Sequence, residues 1–242
     1  LQMSRVDLRL KGDVVSSLLR LGLPIMLQNA VISVGGMVLQ SVINKVGVLF
    51  VAGFTATNKL YGMMEMAAIS YGFAVTTYVG QNLGAGKYER IKKGVSRAVL
   101  MALLTAVLIS AVMLIFGKPI LSMFISASPE KAAEVLRVAY YYLTILSVCL
   151  PVLYLLHAYL CALRGMGDTL IPLLSGVVEF GMRVLAAKVL PALLGQTGIF
   201  YAEVMAWSGA AVLVAVTYYI RIRKLTGRPG LGTSSSAGPA GK

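Results

Sequence analysis

Six stretches of this chain are apolar for long enough to cross a lipid bilayer, at residues 14–43, 48–79, 95–117, 133–163, 169–190 and 198–220. A bilayer-spanning helix needs about 20 mostly apolar residues, so each run predicts one span. Composition leaves the chain no aqueous alternative. Of 242 residues, 58% are hydrophobic and 13% charged, with a mean hydropathy of +0.82, whereas a soluble domain carries about 25% charged residues. The fold class read from this is an all-α integral membrane protein, a bundle of six transmembrane helices. Pro119 and Pro191 are expected to close the third and fifth spans, and Pro151 to kink the fourth. Pro24 and Pro172 fall early in the apolar cores of their runs.

The net charge of +13 would suggest nucleic acid in a soluble protein. Here the charge sits in short clusters between apolar runs, with no RNA- or DNA-binding motif, and the bilayer is the expected partner rather than nucleic acid. An even number of spans puts both ends on one side. That side holds Arg5, Arg9, Lys11, Arg20, Lys87, Arg90, Lys92, Lys93, Arg97, Arg164, Arg221, Arg223, Lys224, Arg228 and Lys242. The other side and the spans share Lys45, Lys59, Lys118, Lys131, Arg137, Arg183 and Lys188. Fifteen against seven predicts cytoplasmic termini. The expected organisation is a cytoplasmic segment at 1–13, the six-helix unit at 14–225, and a disordered Gly/Ser/Pro-rich cytoplasmic tail at 226–242. Leu1, with no cleavable signal sequence behind it, reads as a start inside a longer frame. Cys149 and Cys161 share one apolar run and read as small buried hydrophobes.

The connection between the second and third spans, VGQNLGAGKYERIKKG, invites a phosphate-loop reading that its spacing refuses. A phosphate loop ending at Gly86-Lys87 needs glycine where Gln81 stands and a hydroxyl where Tyr88 stands. A dinucleotide fingerprint from Gly84 needs glycine at Glu89. The stretch reads instead as a tight turn, with Gly80 and Gly84–Gly86 ending one helix and Lys87, Arg90, Lys92 and Lys93 holding the turn on the basic face.

That same string, Gly80 to Gly94, resembles the motif between the second and third helices of a lobe in the MATE (multidrug and toxic compound extrusion) family. LGLPIMLQNAVISVGGMVLQSVINKVG (21–47) is similar to the first helix of the family's C-terminal lobe, and LRGMGDTLIPLLSGVVEFGMR (163–183) to its fourth-to-fifth connection and fifth helix. On this resemblance Gly80, Gln81, Asn82, Gly84, Gly86 and Arg90 form a structural loop motif. The resemblance implies one lobe of a twelve-helix fold, with an N-terminal lobe or a second copy needed to complete the pathway. It implies a secondary transporter, not an enzyme, that exchanges protons or sodium ions for small organic cations and needs no further cofactor. A lipid-linked oligosaccharide flippase of the same superfamily and a non-transporting membrane fragment are the alternatives.

Ionisable groups at bilayer depth are costly, which makes them functional candidates. Glu65, in the second span, is the first coupling-ion candidate, weighed against pairing with Lys59 or a hydrogen bond in packing. Glu179 is a second, although Arg183 four residues on predicts an intrahelical ion pair. His157, flanked by Tyr154 and Cys161, is a third, as a proton relay or as a packed side chain. Glu203, near the outer end of the last span with Trp207 a turn on, is read as reaching the interface. Gln28, Asn29, Gln40 and Asn44 give the first span a polar set that either lines a cavity or joins helices. Tyr61, Met64, Tyr71 and Tyr154 are the remaining cavity candidates, as surfaces for flat cations. One branch of the family binds its cation with carboxylates on the first and fourth helices of this lobe. Here those spans carry Gln28, Gln40 and His157, so no metal site is assigned.

Overall fold

A computed structural model describes residues 12–125 and 128–227. They form six long helices: α1 (Gly12–Asn44), α2 (Val48–Gly84), α3 (Tyr88–Ser122), α4 (Pro129–Gly165), α5 (Leu170–Leu194) and α6 (Tyr201–Thr226), the last entered through a 3-10 turn at Gln196–Phe200. Each predicted run coincides with one helix, and most helices continue past the apolar core, because nothing at the membrane surface forces a helix to end there. Thus α1 begins at Gly12, inside the expected terminal segment, and α6 runs on to Thr226, the first residue of the expected tail. Arg5, Arg9, Lys11, Arg228, Lys242 and the rest of both terminal segments lie outside the described residues. Pro119 and Pro191 do not close their spans; α3 and α5 run on to Ser122 and Leu194. Proline's cost falls on the bond to the preceding turn, and its fixed φ lets the helix continue after it.

Five of the helices are long and apolar enough to cross a membrane on composition alone. The exception is α2, whose run is interrupted by polar residues including Asn58, Lys59 and Glu65. Packing compensates, because α2 lies parallel to α4 along its length. Thr57 Oγ1 donates to the Ala139 carbonyl at 2.8 Å, the Tyr154 hydroxyl to the Met64 carbonyl at 2.8 Å, and Thr76 Oγ1 to the Cys161 carbonyl at 3.0 Å. Small residues let the backbones approach this closely. A Cβ on Gly53 would meet Val138 Cγ1 at 2.9 Å, one on Gly72 would meet Cys161 Sγ at 2.7 Å, and one on Gly165 would meet the Thr76 carbonyl at 2.7 Å.

The central helix is α4, packed against α2, α3 and α6; α5 packs on α6 and carries α1, which meets α2 only slightly. Near one end an aromatic stack seals the core, with Phe200 4.7 Å from Phe50 and 4.5 Å from Tyr142. The other end, here called the basic end, gathers the start of α1, the α2–α3 and α4–α5 turns and the end of α6.

The α2–α3 turn is a structural device. Gly86 has φ +67°, a left-handed conformation that favours glycine, and the Lys87 amide closes the turn on the Asn82 carbonyl at 2.9 Å. Gly80 remains inside α2 rather than ending it. Across the turn the Tyr78 hydroxyl donates to the Arg90 carbonyl at 3.0 Å, and its ring fills the space above Gly94.

Candidate functional site: a polar cleft among five helices

Because α1 hangs on α5 and stands away from α2, a cleft of about 490 Å³ opens among α1, α2, α4, α5 and α6. Its polar residues come from all five. α1 contributes Gln28 and Asn29; α2 contributes Tyr61 and Glu65; α4 contributes His157 and Arg164; α5 contributes Ser175, Glu179 and Arg183; α6 contributes Glu203 and Trp207.

The most buried charge is Arg183, 4% exposed. Its Nη2 donates to Glu179 Oε1 and to Glu203 Oε2, each at 2.8 Å, and its Nη1 reaches the Ile32 carbonyl at 3.4 Å. The expected Glu179–Arg183 pair is therefore present, but with a second carboxylate from the next helix. Glu203 does not reach for the interface; it turns inward to the guanidinium. The guanidinium needs room against α1 as well, and Gly35 provides it, since a Cβ there would meet Arg183 Nη1 at 3.0 Å. One cation faces two carboxylates, so the cluster carries an excess negative charge whenever both are ionised.

Glu65 lies in the same cleft and pairs with His157, not Lys59. Glu65 Oε1 stands 4.0 Å from His157 Nε2, while Lys59 Nζ sits 5.6 Å from the centroid of the Phe124 ring. Six residues apart on a helix, Lys59 and Glu65 point about 120° away from each other. His157 Nδ1 lies 3.1 Å from the Leu153 carbonyl. A carbonyl oxygen only accepts, so Nδ1 carries a hydrogen and Nε2 is left to take or release the exchangeable proton. At 4.0 Å the carboxylate and the imidazole nitrogen are at ion-pair but not hydrogen-bond distance, so a proton crosses the α2–α4 seam between them only through one bridging water or a small rotamer change.

Beside these charges the Tyr61 ring lines the cleft, backed by Trp207, which is 1% exposed. The rings of Tyr61 and Trp207 stack at 5.5 Å with an interplanar angle of 17°. Each sits one helical turn from a carboxylate, Tyr61 from Glu65 and Trp207 from Glu203. Stacked rings next to carboxylates suit a flat cation. Toward the basic end, Arg164 Nη2 donates to Gln28 Oε1 at 2.7 Å, and Gln28 Nε2 reaches Ser175 Oγ at 3.4 Å. Gly176 accommodates Gln28, whose Cγ would lie 2.7 Å from a Cβ placed there.

Other expected cavity residues are elsewhere. Met64 is 1% exposed and packed in the core, and Tyr154 is turned into the α2–α4 seam by its bond to Met64. Tyr71 faces α3, its hydroxyl 2.8 Å from Thr105 Oγ1. Gln40 donates to Asn44 Oδ1 at 2.8 Å, beyond the cleft lining. Sequence reasoning leaves Arg164, Arg183, Glu203 and Trp207 out of the cleft. The apolar runs place them in or beside the spans, but apart from Glu179 beside Arg183 their partners lie on other helices, at separations that no local periodicity reports. Among the described residues, no group of three or more His, Cys, Asp or Glu side chains is placed to hold a metal ion.

Six long helices, five of them apolar enough to span a membrane, carry a charged cleft. The chain belongs to the MatE family, whose model matches residues 24–188. It is 29% identical over 211 residues to the probable multidrug resistance protein YoeA of Bacillus subtilis (strain 168), covering 83% of this chain and 43% of that protein. It is 32% identical over 123 residues to the probable multidrug resistance protein YpnP of the same organism, covering 51% and 27%. A solved MOP superfamily transporter from Pyrococcus furiosus shares the fold with a TM-score of 0.84 at 20% identity, over 93% of this chain and 50% of that one. The chain thus spans less than half the length of these curated relatives and half of the solved transporter, as one lobe of a two-lobe fold does.

Proposed function

We propose that residues 14–225 act as one lobe of a cation-coupled efflux antiporter. In this reading the complete protein takes up a proton or sodium ion and expels a small organic cation from a bacterium. A second lobe, from an N-terminal half or another copy, supplies the opposite wall, and the lobes rock about the cleft to expose it alternately to each side. The basic end faces the cytoplasm of the inner or plasma membrane, as the positive-inside rule requires. The curated relatives are described as probable multidrug resistance proteins, which supports the efflux reading.

The observation that carries the proposal is Glu65 facing His157 beside the Tyr61–Trp207 stack. Glu65 is the coupling residue, exchanging a proton when cargo binds or leaves. His157 relays that proton through Nε2, and the open face of the Tyr61 ring, backed by Trp207, receives the cargo. An imidazole opposite the carboxylate favours a proton over sodium, which prefers several oxygen ligands. Glu179 is neutralised by Arg183 and holds the cleft's shape. The rival flippase reading calls for a cationic cavity to hold pyrophosphate; here Glu65, Glu179 and Glu203 face only Arg164 and Arg183.

The test is efflux of ethidium by the full-length protein in liposomes under an imposed proton gradient or an imposed sodium gradient. Glu65→Gln is expected to abolish gradient-driven efflux while leaving expression and melting temperature unchanged. Normal efflux in that variant sinks the assignment.

A further inference from the structure

A second hollow, of about 630 Å³, lies at the basic end, outside the cleft. It separates the first turns of α1 from the last turns of α6 and is capped by the α4–α5 turn. Its lining has two chemistries. Arg20 of α1 and Arg221 of α6 supply guanidiniums, and Ser17 and Thr169 supply hydroxyls. Leu21, Pro24, Met166 and Leu170 form an apolar wall. The charge is unbalanced. Asp168 Oδ2 lies 2.6 Å from Arg221 Nη2, while its Oδ1 accepts from the Ile171 amide at 3.2 Å. Among the described residues, no carboxylate lies within ion-pair distance of Arg20. One carboxylate is thus set against two cations around a space large enough for a phosphate group and part of its attachments.

The hollow also sits where a lipid would meet it. α1 enters the bilayer beside it, and Leu18, Leu21, Leu23 and Leu170 are exposed on the adjoining surface. A soluble phosphate would use the guanidiniums and leave the apolar wall unmatched; a phospholipid uses both. Basic pockets between transmembrane helices recognise anionic headgroups in this way.

We propose that this hollow is a binding site for the phosphate headgroup of an anionic phospholipid, held by Arg20 and Arg221 with an acyl chain along Leu21, Pro24 and Leu170. The occupant bridges α1 to α6, two helices that otherwise scarcely touch, and so gives α1 a second hold beside its seat on α5.

The experiment is native mass spectrometry of the full-length protein, delipidated in detergent and titrated with phosphatidylglycerol, phosphatidylethanolamine or inorganic phosphate. Phosphatidylglycerol adducts are expected to dominate, and Arg20→Gln to weaken them about fivefold, since one basic residue near the surface contributes about 1 kcal/mol. Lys224→Gln, on the same end of α6 but outside the hollow, is expected to leave them unchanged. Equal loss in Lys224→Gln would mean diffuse attraction and overturn the site. So would equal retention of the zwitterionic lipid, saturation by inorganic phosphate alone, or an unchanged adduct in Arg20→Gln. Arg20 is the variant of choice because Arg221 also holds Asp168, and losing that pair could unfold the α4–α5 turn.

Discussion

A single nitrogen of Arg183, Nη2, donates to carboxylates on two helices, Glu179 on α5 and Glu203 on α6, at 2.8 Å each. The arrangement fixes α5 to α6 at bilayer depth and orders the effects of substitution. Arg183→Met strands the buried Glu179 and the partly buried Glu203 and is expected to cost about 3 kcal/mol, the usual penalty for leaving half of a buried ion pair. Glu203→Gln leaves the balanced Glu179–Arg183 pair and should cost less. Melting temperatures of the two variants in detergent check the order; equal losses would mean that Glu203 matters as much as the arginine.

Glu65 and His157 are expected to behave as a unit in proton transfer. His157→Gln should slow efflux and alter its pH profile without abolishing it. Glu65→Asp keeps a carboxylate and should only slow efflux, and adding His157→Gln to it should cost less than the two single losses combined, because groups acting in one step are strongly non-additive. Initial efflux rates of the single and double variants across a pH series decide this, and additive losses would separate the two residues.

The Tyr61–Trp207 stack predicts selectivity between substitutions at one ring. Tyr61→Leu removes a π face next to Glu65 and should raise the KM for a planar aromatic cation about fivefold, in keeping with about 1 kcal/mol for a partly desolvated cation–π contact. Tyr61→Phe keeps the face and should keep the KM. A loss in both variants would transfer the role to the hydroxyl.

Glycines of α2 and α4 predict opposite outcomes from one chemical change. Gly165→Ala drives a Cβ to 2.7 Å from the Thr76 carbonyl and should destabilise by about 1–3 kcal/mol through overpacking. A methyl group added to Gly62, on α2, would have nothing within 4 Å, and Gly62→Ala should gain about 0.5–1 kcal/mol of helix stability. Thermal unfolding of both variants measures the contrast.

The helices are legible in the sequence because six apolar runs in so uncharged a chain admit no other fold. The Glu179–Arg183 pair is legible too, being a local spacing of four residues on one helix. Tyr71, Met64 and Tyr154 fall outside the expected cavity for a physical reason. A helix that is apolar all round carries no signal for which face meets a cleft, a neighbour or lipid. Glu203 looks like an interfacial residue because its partner lies on a different helix, and Arg164 looks like a loop charge because Gln28 is 136 residues away. Such pairings are made by tertiary packing, and a single sequence holds no periodicity that encodes them.

The seating of α1 on α5, with only slight contact to α2, has a mechanical consequence. One wall of the cleft belongs to the α2–α3–α4 slab and the other to the α1–α5–α6 slab, with α4 against α6 as the spine between them. Parting the walls breaks little contact between α1 and α2, and the strain falls on the α4–α6 seam. A bend at that seam, with both slabs intact, is the expected way for the cleft to widen.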